Sequence, residues 1–404
     1  MLGLALSILI NLQLAWGLLV SAQNFTSLNL NVLHGVISLA FSGFILIFTM
    51  RKVHWFSLVL LYFLFDPILA YFLSGSDAVI NLSDLPRRII PFLVAFTIIQ
   101  ARSSITWEDM LSWHRNFVLF SIVPQLYFLN SVITGDVFIV NYHYGYLRYI
   151  GCFIGPHQAA FYFLLNAVSA TFIILYGKQN RLMKIAFFIS LTMSLVFLYL
   201  TGTRTAVVGI MGYFLYLLIR YKGKNRRIKK LSILFLASFM MKYAIVLFTD
   251  IVRYFSGQAG LILVGGGRLV IWAYSVREWL RGRWYELLIG LGYGTDQVYQ
   301  SGSGLLRAHN DFLTIAFEGG IIGLVLYIGV LIWFMKYFSR SIAIRGETWL
   351  HWIVGLGWVA IVTNFISNSF YLRVFPGTYL WMWMAITYMY LRTRRVHVSE
   401  EGID

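Results

Sequence analysis

The sequence has too little charge for a water-soluble protein of its size. Of its 404 residues only 12% are Asp, Glu, Lys or Arg, whereas 59% are hydrophobic. Soluble globular domains carry about 25% charged and roughly 45–50% apolar residues. A soluble enzyme and an intrinsically disordered chain are therefore excluded, and the composition predicts an integral membrane protein.

Cysteine is scarce, and the common metal-binding motifs are missing. Cys152 is the only cysteine, which excludes an intramolecular disulfide and a cysteine-bound metal cluster. The predicted external segments contain no DxD, no HExxH and no histidine cluster with metal-ligand spacing, and the chain has no Walker-type loop. A metal-dependent or ATP-driven reaction is therefore disfavoured, and no cofactor is expected.

Long hydrophobic runs, in contrast, are abundant. A membrane-spanning helix needs about 20 mostly apolar residues. The sequence offers twelve such runs, at 2–22, 31–50, 56–75, 86–101, 114–135, 157–177, 185–201, 205–221, 231–249, 312–335, 348–368 and 376–391. We therefore predict an all-α integral membrane protein with twelve transmembrane helices, in which residues 1–404 form a single polytopic membrane domain.

Basic residues between the runs indicate the orientation, because Lys and Arg concentrate in cytoplasmic loops. With twelve spans, the basic clusters all fall on one side, at 51–52, 178–184, 222–230, 336–345 and 392–395. Both termini are then expected on the cytoplasmic side.

The predicted outer side carries cations of one type only. All eleven are arginines: Arg87, Arg88, Arg148, Arg204, Arg253, Arg268, Arg277, Arg281, Arg283, Arg307 and Arg373. Arginine binds phosphate and carboxylate groups with a planar fork that lysine lacks. The set indicates anion binding, although pairing with outer acidic residues and lipid headgroups would also explain individual arginines.

One sizeable extramembrane segment is predicted, the outer loop at 250–311. Apolar residues recur in it at helical spacing from Leu269 to Leu287, directly after three glycines at 265–267. Tryptophans and arginines share this pattern, which is typical of a helix lying in the membrane interface. Arg268 starts that helix, where backbone N–H groups favour anions; a structural role for Arg268 is equally compatible with the pattern.

Two further outer-side motifs carry candidate functional groups. Thr-Gly-Thr-Arg-Thr at 201–205 lies at a tight turn between two spans, and Arg204 there is either part of an anion cradle or a snorkelling arginine. Arg-Ala-His-Asn-Asp at 307–311 leads into a span that contains Glu-Gly-Gly at 318–320. Because imidazole titrates near neutral pH, His309 is a candidate general base, with a polar boundary residue as the alternative.

In their order, these motifs resemble the O-antigen polymerase and O-antigen ligase family of bacterial polytopic membrane glycosyltransferases of the GT-C type. The resemblance rests on the turn that ends at Arg204, on Arg268 with Trp272, and on His309-Asn310 followed after nine residues by Gly320-x-x-Gly323. It covers residues 140–335, whereas the first 135 residues share only their hydrophobic spans.

The resemblance implies glycan transfer from an undecaprenyl-diphosphate carrier to an acceptor hydroxyl at the periplasmic face of the bacterial inner membrane, without metal or nucleotide. It implies that Arg204 and Arg268 hold the diphosphate and stabilise its growing charge. His309 then deprotonates the acceptor hydroxyl, and the anomeric configuration inverts. Further substrate contacts are expected from Arg307, Asn310, Arg148, Arg373 and Tyr293. Membrane lipids and a chain-length regulator are the expected partners, and nucleic acid is not.

Two activities within the family and one outside it remain as alternatives. A polymerase adds to a lipid-linked repeat, whereas a ligase moves the chain to lipid A–core; the modest length of the periplasmic loop 250–311 favours the polymerase. A polytopic lipid-linked glycan transporter instead needs substrate groups near the bilayer midplane, where Lys242 and Asp66 are predicted. A transporter would lose its function on replacement of Lys242 and keep it in His309→Ala.

Overall fold

The structure is a computed structural model, which describes residues 2–23, 26, 29–49, 55–74, 85–101, 105–135, 148–220, 268–292, 310–366, 370 and 374–400. Within these ranges the regular elements are fifteen α-helices and one short 3₁₀ helix. The prediction of an all-α membrane protein is confirmed.

The described part of the chain before residue 221 contains the first ten helices. These are α1 (Leu2–Leu14), α2 (Trp16–Gln23), α3 (Leu30–Thr49), α4 (Trp55–Ser74), α5 (Leu85–Ala101), α6 (Trp107–Phe120), α7 (Ile122–Thr134), α8 (Pro156–Tyr176), α9 (Arg181–Leu200) and α10 (Arg204–Arg220). The later part contains α11 (Arg268–Leu280), α12 (Trp284–Ile289), α13 (Asp311–Arg345), the 3₁₀ helix Thr348–Leu350, α14 (His351–Ile366) and α15 (Val374–Glu400). A helix that begins at Arg268 is therefore present, as predicted.

The described residues contain several helices that are long and apolar enough to cross a membrane. There are six of them, or seven if α1 and α2, which meet at an angle of 51°, form one bent span. The predicted span at 114–135 starts earlier, at Trp107, because Thr106 and Asp109 form a capping box that begins α6 there. The predicted span at 231–249 lies outside the described residues, so the number twelve stays a prediction.

Helix α8 forms the centre of the bundle. It is buried at 16 of its 21 residues, and it packs against α6, α9, α10, α14 and α15. A helix that is apolar on all sides is expected to be enclosed by other helices. Its neighbour α9 instead exposes large apolar side chains such as Leu182, Ile185 and Ile189. We infer that α8 belongs to the protein core, whereas α9 presents a face to lipid.

Antiparallel packing gathers several helix ends at one end of the bundle. Gly209, near the start of α10, lies against Val359 and Thr363, near the end of α14. At the opposite end, the Tyr216 hydroxyl and His351 Nδ1 are hydrogen-bonded at 3.1 Å. We call the end that contains residues 148–155, 200–205, 310–311, 364–366 and 370 the site end. The other end, with residues 177–181 and 345–351, is called the opposite end.

Candidate functional site

The turn between α9 and α10 places Arg204 at the site end as the first residue of α10. Gly202 N donates to Tyr199 O at 3.1 Å, and Thr203 N donates to the Thr201 hydroxyl at 3.3 Å. Thr203 is buried, and its hydroxyl has no hydrogen-bond partner among the described residues. The turn therefore combines a half-buried arginine with a buried hydroxyl that retains its hydrogen-bonding capacity.

Arg148 reaches the same turn from a distant part of the chain. A Cβ added at Gly202 would lie 3.2 Å from Cγ and 3.4 Å from Nε of Arg148, so the arginine stem packs directly on the turn. The neighbouring Tyr149 N donates to Leu200 O at 3.3 Å and holds the two segments together. Two of the predicted site residues, Arg148 and Arg204, thus flank one turn.

Asn310 has a structural role that the sequence analysis did not foresee. It is the N-cap of α13, and its Oδ1 accepts hydrogen bonds from Phe312 N at 3.0 Å and Leu313 N at 3.1 Å. An N-cap asparagine satisfies backbone N–H groups that a helix leaves unpaired at its start. Asn310 therefore fixes the point at which the chain passes from His309 into α13. Its predicted contact with substrate stays a prediction.

Asp311 joins the start of α13 to the segment that follows α14. Phe370 N donates to Asp311 Oδ2 at 2.9 Å and to Asn364 Oδ1 at 3.0 Å. Asn364 Nδ2 in turn donates to the Tyr327 hydroxyl at 2.9 Å, and all four residues are buried. This network ties the start of α13 to the end of α14 and to Phe370.

Helix α11 also reaches the site end. Trp272 packs against Phe365 near the end of α14, with ring centroids 5.6 Å apart, and Ile271 and Ser275 are buried. Trp284, just beyond α11, is 73% exposed. A packed face on α11 and an exposed tryptophan at the start of α12 are compatible with the predicted interfacial position.

Several predicted site residues cannot be placed. His309, Arg307, Arg373 and Tyr293, together with Lys242, lie outside the described residues, and of Arg268 only the backbone is described. Their roles stay predictions. Of the eight predicted site residues, the structure thus brings together Arg148 and Arg204 at one turn and places Asn310 at the start of α13.

The structure adds contacts around the predicted Gly320-x-x-Gly323 motif. Helix α13 is broken at Gly320, and α4 packs beside the break. Asp66 is buried there, with Oδ2 3.7 Å from where a Cβ on Gly319 would lie. The sequence marks Asp66 only as a carboxylate within a span, and nothing in the sequence links it to Gly319.

Comparison with known proteins connects these segments to a family. The family described as O-antigen ligase matches residues 185–328, a region that contains the turn with Arg204, helix α11 and the first part of α13. The chain is also similar to an O-antigen ligase of Pseudomonas aeruginosa, with 28% identity over 213 residues. The chain is thus similar to O-antigen ligases over this region. The predicted resemblance is thereby confirmed.

The similarity to the Pseudomonas protein covers part of each chain. The aligned region covers 50% of this chain and 47% of the Pseudomonas protein. The chain therefore spans about half the length of the curated relative that it matches. The matched family region includes Arg204 and the beginning of α13, whereas Arg148 and Phe370 precede and follow it.

Proposed function

We propose that this protein is a membrane glycosyltransferase that moves a glycan from an undecaprenyl-diphosphate carrier to an acceptor sugar hydroxyl. The observation that carries the proposal is the packing of Arg148 against the turn that bears Arg204. Two arginines at a turn that also holds a buried hydroxyl suit a diphosphate, since arginine binds phosphate oxygens through paired N–H donors. The similarity to O-antigen ligases supports the same chemistry.

The proposed mechanism needs no metal, because the diphosphate is already a good leaving group. Arg204 and Arg268, with Arg148 as a further contact, hold the diphosphate and stabilise the negative charge that grows on it. His309 accepts the proton of the acceptor hydroxyl while its oxygen bonds to the anomeric carbon. The bond from that carbon to the diphosphate breaks, the diphosphate leaves with the electron pair, and the configuration inverts.

The acceptor separates two versions of this function. The modest outer loop favours a polymerase, whose acceptor is a second lipid-linked repeat. The relatives are described as O-antigen ligases, which favours transfer to lipid A–core. Both versions place the site at the periplasmic face of the inner membrane and both termini in the cytoplasm.

One reaction tests the function and distinguishes the versions. The purified protein in nanodiscs receives a lipid-linked repeat unit, with lipid A–core in half of the samples and without metal or nucleotide. A ladder of products without lipid A–core indicates a polymerase, and product only with lipid A–core indicates a ligase. No product in either sample contradicts the proposal and favours the transporter.

Two variants sharpen the test against a transporter. Glycosyl transfer predicts that His309→Ala abolishes product formation while Lys242→Ala retains it. Transport predicts the reverse order. Both variants must reach wild-type abundance in the membrane for the comparison to count.

A further inference from the structure

Helix α9, which leads into the turn with Arg204, is buried along one narrow face. Only six of its 20 residues are buried, and large apolar side chains such as Ile185, Phe188 and Val196 are exposed. Within a bilayer, hydrophobicity does not favour one apolar face of a helix over another, because lipid tails are as apolar as leucine. The rotation of α9 about its axis therefore depends on packing and on polar groups that lipid cannot satisfy.

Two buried serines supply such polar groups on the inner face of α9. Ser190 and Ser194 lie four residues apart and therefore on one side of the helix. Asn166 Nδ2, on α8, donates to Ser194 Oγ at 2.7 Å and to Ser190 Oγ at 3.2 Å. Gln125 Nε2, on α7, donates to both serine hydroxyls at 3.0 Å. We call these four residues, which join α7, α8 and α9, the amide–hydroxyl cluster.

The cluster distinguishes the inner face of α9 from its other faces. Asn166 is fully buried, and its Oδ1 has no hydrogen-bond partner among the described residues, so this side chain relies on the two serines. Thr192 lies between the serines, but it is exposed and donates to Phe188 O within α9 at 3.0 Å. A rotation that turned the serines toward lipid would take the acceptors away from two buried amides, which is costly. The cluster therefore opposes rotation of α9.

A continuous series of contacts connects the cluster with the turn. Toward the site end, Phe197 of α9 packs against Phe128 of α7 and Phe163 of α8, with ring centroids 4.8 and 5.4 Å apart. Leu200, the last residue of α9, lies six residues, or about 9 Å, beyond the second serine. Its carbonyl accepts the hydrogen bond from Tyr149 N at 3.3 Å. The end of α9 is thus held against the segment that carries the first arginine of the site.

We propose that the amide–hydroxyl cluster sets the rotation of α9 and thereby positions the turn that bears Arg204 against Arg148. Gln125 and Asn166 are then positioning residues for glycan transfer, which act through α9. The proposal rests on the proposed function, in which the two arginines hold the diphosphate. Cα atoms lie about 2.3 Å from a helix axis, so a rotation of roughly 25° moves each of them by about 1 Å. A misplacement of about 1 Å can cost on the order of 100-fold in rate.

The variants compare loss of the cluster with loss of a hydroxyl elsewhere on the same helix. Asn166→Leu removes the donor on α8 and keeps a side chain of similar size. Ser194→Val and Ser194→Thr both add a methyl group, and only threonine keeps the hydroxyl, so their difference isolates the hydrogen bonds. Thr192→Val is the matched control, because it removes an exposed hydroxyl that is bonded within α9.

Hydrogen exchange in nanodiscs reports on the position of α9 independently of activity. The amide of Tyr149 donates to Leu200 O at the end of α9, and overlapping peptides across 148–152 resolve its exchange. Its exchange should be faster in Asn166→Leu and Ser194→Val. It should match the wild type in Ser194→Thr and in the control Thr192→Val.

The activity readout is the coupling between the cluster and Arg148. Asn166→Leu should lower kcat about 100-fold in the wild-type background. The same change should cost less than about tenfold in Arg148→Ala, because the contact that it displaces is already absent and the two losses are not additive. Ser194→Thr should recover at least about tenfold of the rate lost in Ser194→Val. All rates are compared at equal amounts of folded protein.

Each other outcome contradicts a defined part of the proposal. Wild-type exchange of the Tyr149 amide in both Asn166→Leu and Ser194→Val would overturn the role of the cluster in placing α9. An equal loss of kcat in both backgrounds, or no loss, would overturn the positioning of the turn. If Asn166→Leu does not reach the membrane, the pair of Ser194 variants decides. If the wild-type protein transfers no glycan, the proposed function fails together with the positioning role in transfer, and the exchange data decide whether the cluster places α9.

Discussion

Both ends of helix α13 are polar, but one is buried and the other is exposed. At the first end, Asn310 and Asp311 are buried and accept hydrogen bonds from backbone N–H groups. At the last end, Arg340 and Arg345 are exposed, and α13 stops at Gly346. Buried polar groups are costly unless they are hydrogen-bonded, whereas exposed charges need no protein partner. The N-terminal end of α13 is therefore held by hydrogen bonds within the protein, whereas its C-terminal end contacts water and lipid headgroups.

Replacement of one arginine near each end tests whether this difference matters for function. Arg204→Ala should reduce glycan transfer by about 100- to 1,000-fold, as does removal of other groups that stabilise transition-state charge. Arg340→Ala should leave the rate within about twofold of wild type, because its side chain is exposed at the opposite end. Arg204→Lys should recover only part of the rate, since lysine cannot bind phosphate as a fork. Equal losses at both ends, measured at equal protein amounts, would contradict the assignment.

The only thiol of the chain reports on burial at the site end. Burial raises the pKa of the Cys152 thiol to about 11, although the Ser21 hydroxyl at 3.3 Å opposes the shift. The thiolate is the reactive form, so at pH 8 the folded protein should react with a maleimide about 100-fold more slowly than the unfolded chain. Reaction should accelerate as the pH rises toward 11. Mass spectrometry before and after denaturation measures the difference, and rapid labelling of the folded protein would show that Cys152 is accessible.

The hydrogen bonds of Asp311 should contribute to stability at the buried end. Asp311→Ala leaves Phe370 N with Asn364 as its described acceptor and opens space in a buried site. Loss of a buried hydrogen-bond partner costs about 1–3 kcal/mol. We expect Asp311→Ala to have a lower melting temperature in detergent, measured by tryptophan fluorescence. The shift should be smaller for Asp311→Asn, which keeps an acceptor. An unchanged melting temperature in Asp311→Ala would show that the network does not stabilise the fold.

The ion pair at the opposite end should contribute least to the stability of the fold. Arg394 Nη1 lies 2.9 Å from Glu347 Oε1, and the side chain of Arg394 is 55% exposed. Exposed ion pairs contribute about 0–1 kcal/mol, and glutamine at 347 would still accept the hydrogen bond from Trp349 Nε1. Glu347→Gln should therefore leave the melting temperature nearly unchanged at both low and high salt. A shift as large as that of Asp311→Ala would remove the contrast between the two ends.

Much of the architecture could be predicted because its causes are local in sequence. Apolar composition predicts membrane helices, and the spacing of Leu269, Trp272 and Val276 predicts the helix that begins at Arg268. The ends of the helices are less predictable. Helix α6 begins at Trp107, where a polar capping box precedes the hydrophobic run. The bend between α1 and α2 lies inside a run that contains no charged residue.

The candidate site was predicted as residue types rather than as an arrangement. Arg204, Arg148 and Asn310 were singled out by charge, chemistry and resemblance to a family. The packing of Arg148 on Gly202 has no signal in the sequence. The capping role of Asn310 is compatible with a contact to substrate. Tyr62, whose hydroxyl donates to Gly319 O, carries no distinguishing signal in the sequence, because an aromatic residue within a hydrophobic span is ordinary in a membrane protein.

Composition and the order of motifs predict a helical membrane protein whose arginine-rich motifs resemble those of O-antigen polymerases and ligases. Hydrophobicity and helical spacing act over neighbouring residues, so they can be recognised in one dimension. The packing of Arg148 on the turn of Arg204, and the hydrogen bonds from Leu291 and Gly292 to carbonyls before Gly320, become visible only in three dimensions. Such contacts join segments far apart in the chain, and they form because buried backbone and side-chain polar groups must find partners once the helices pack.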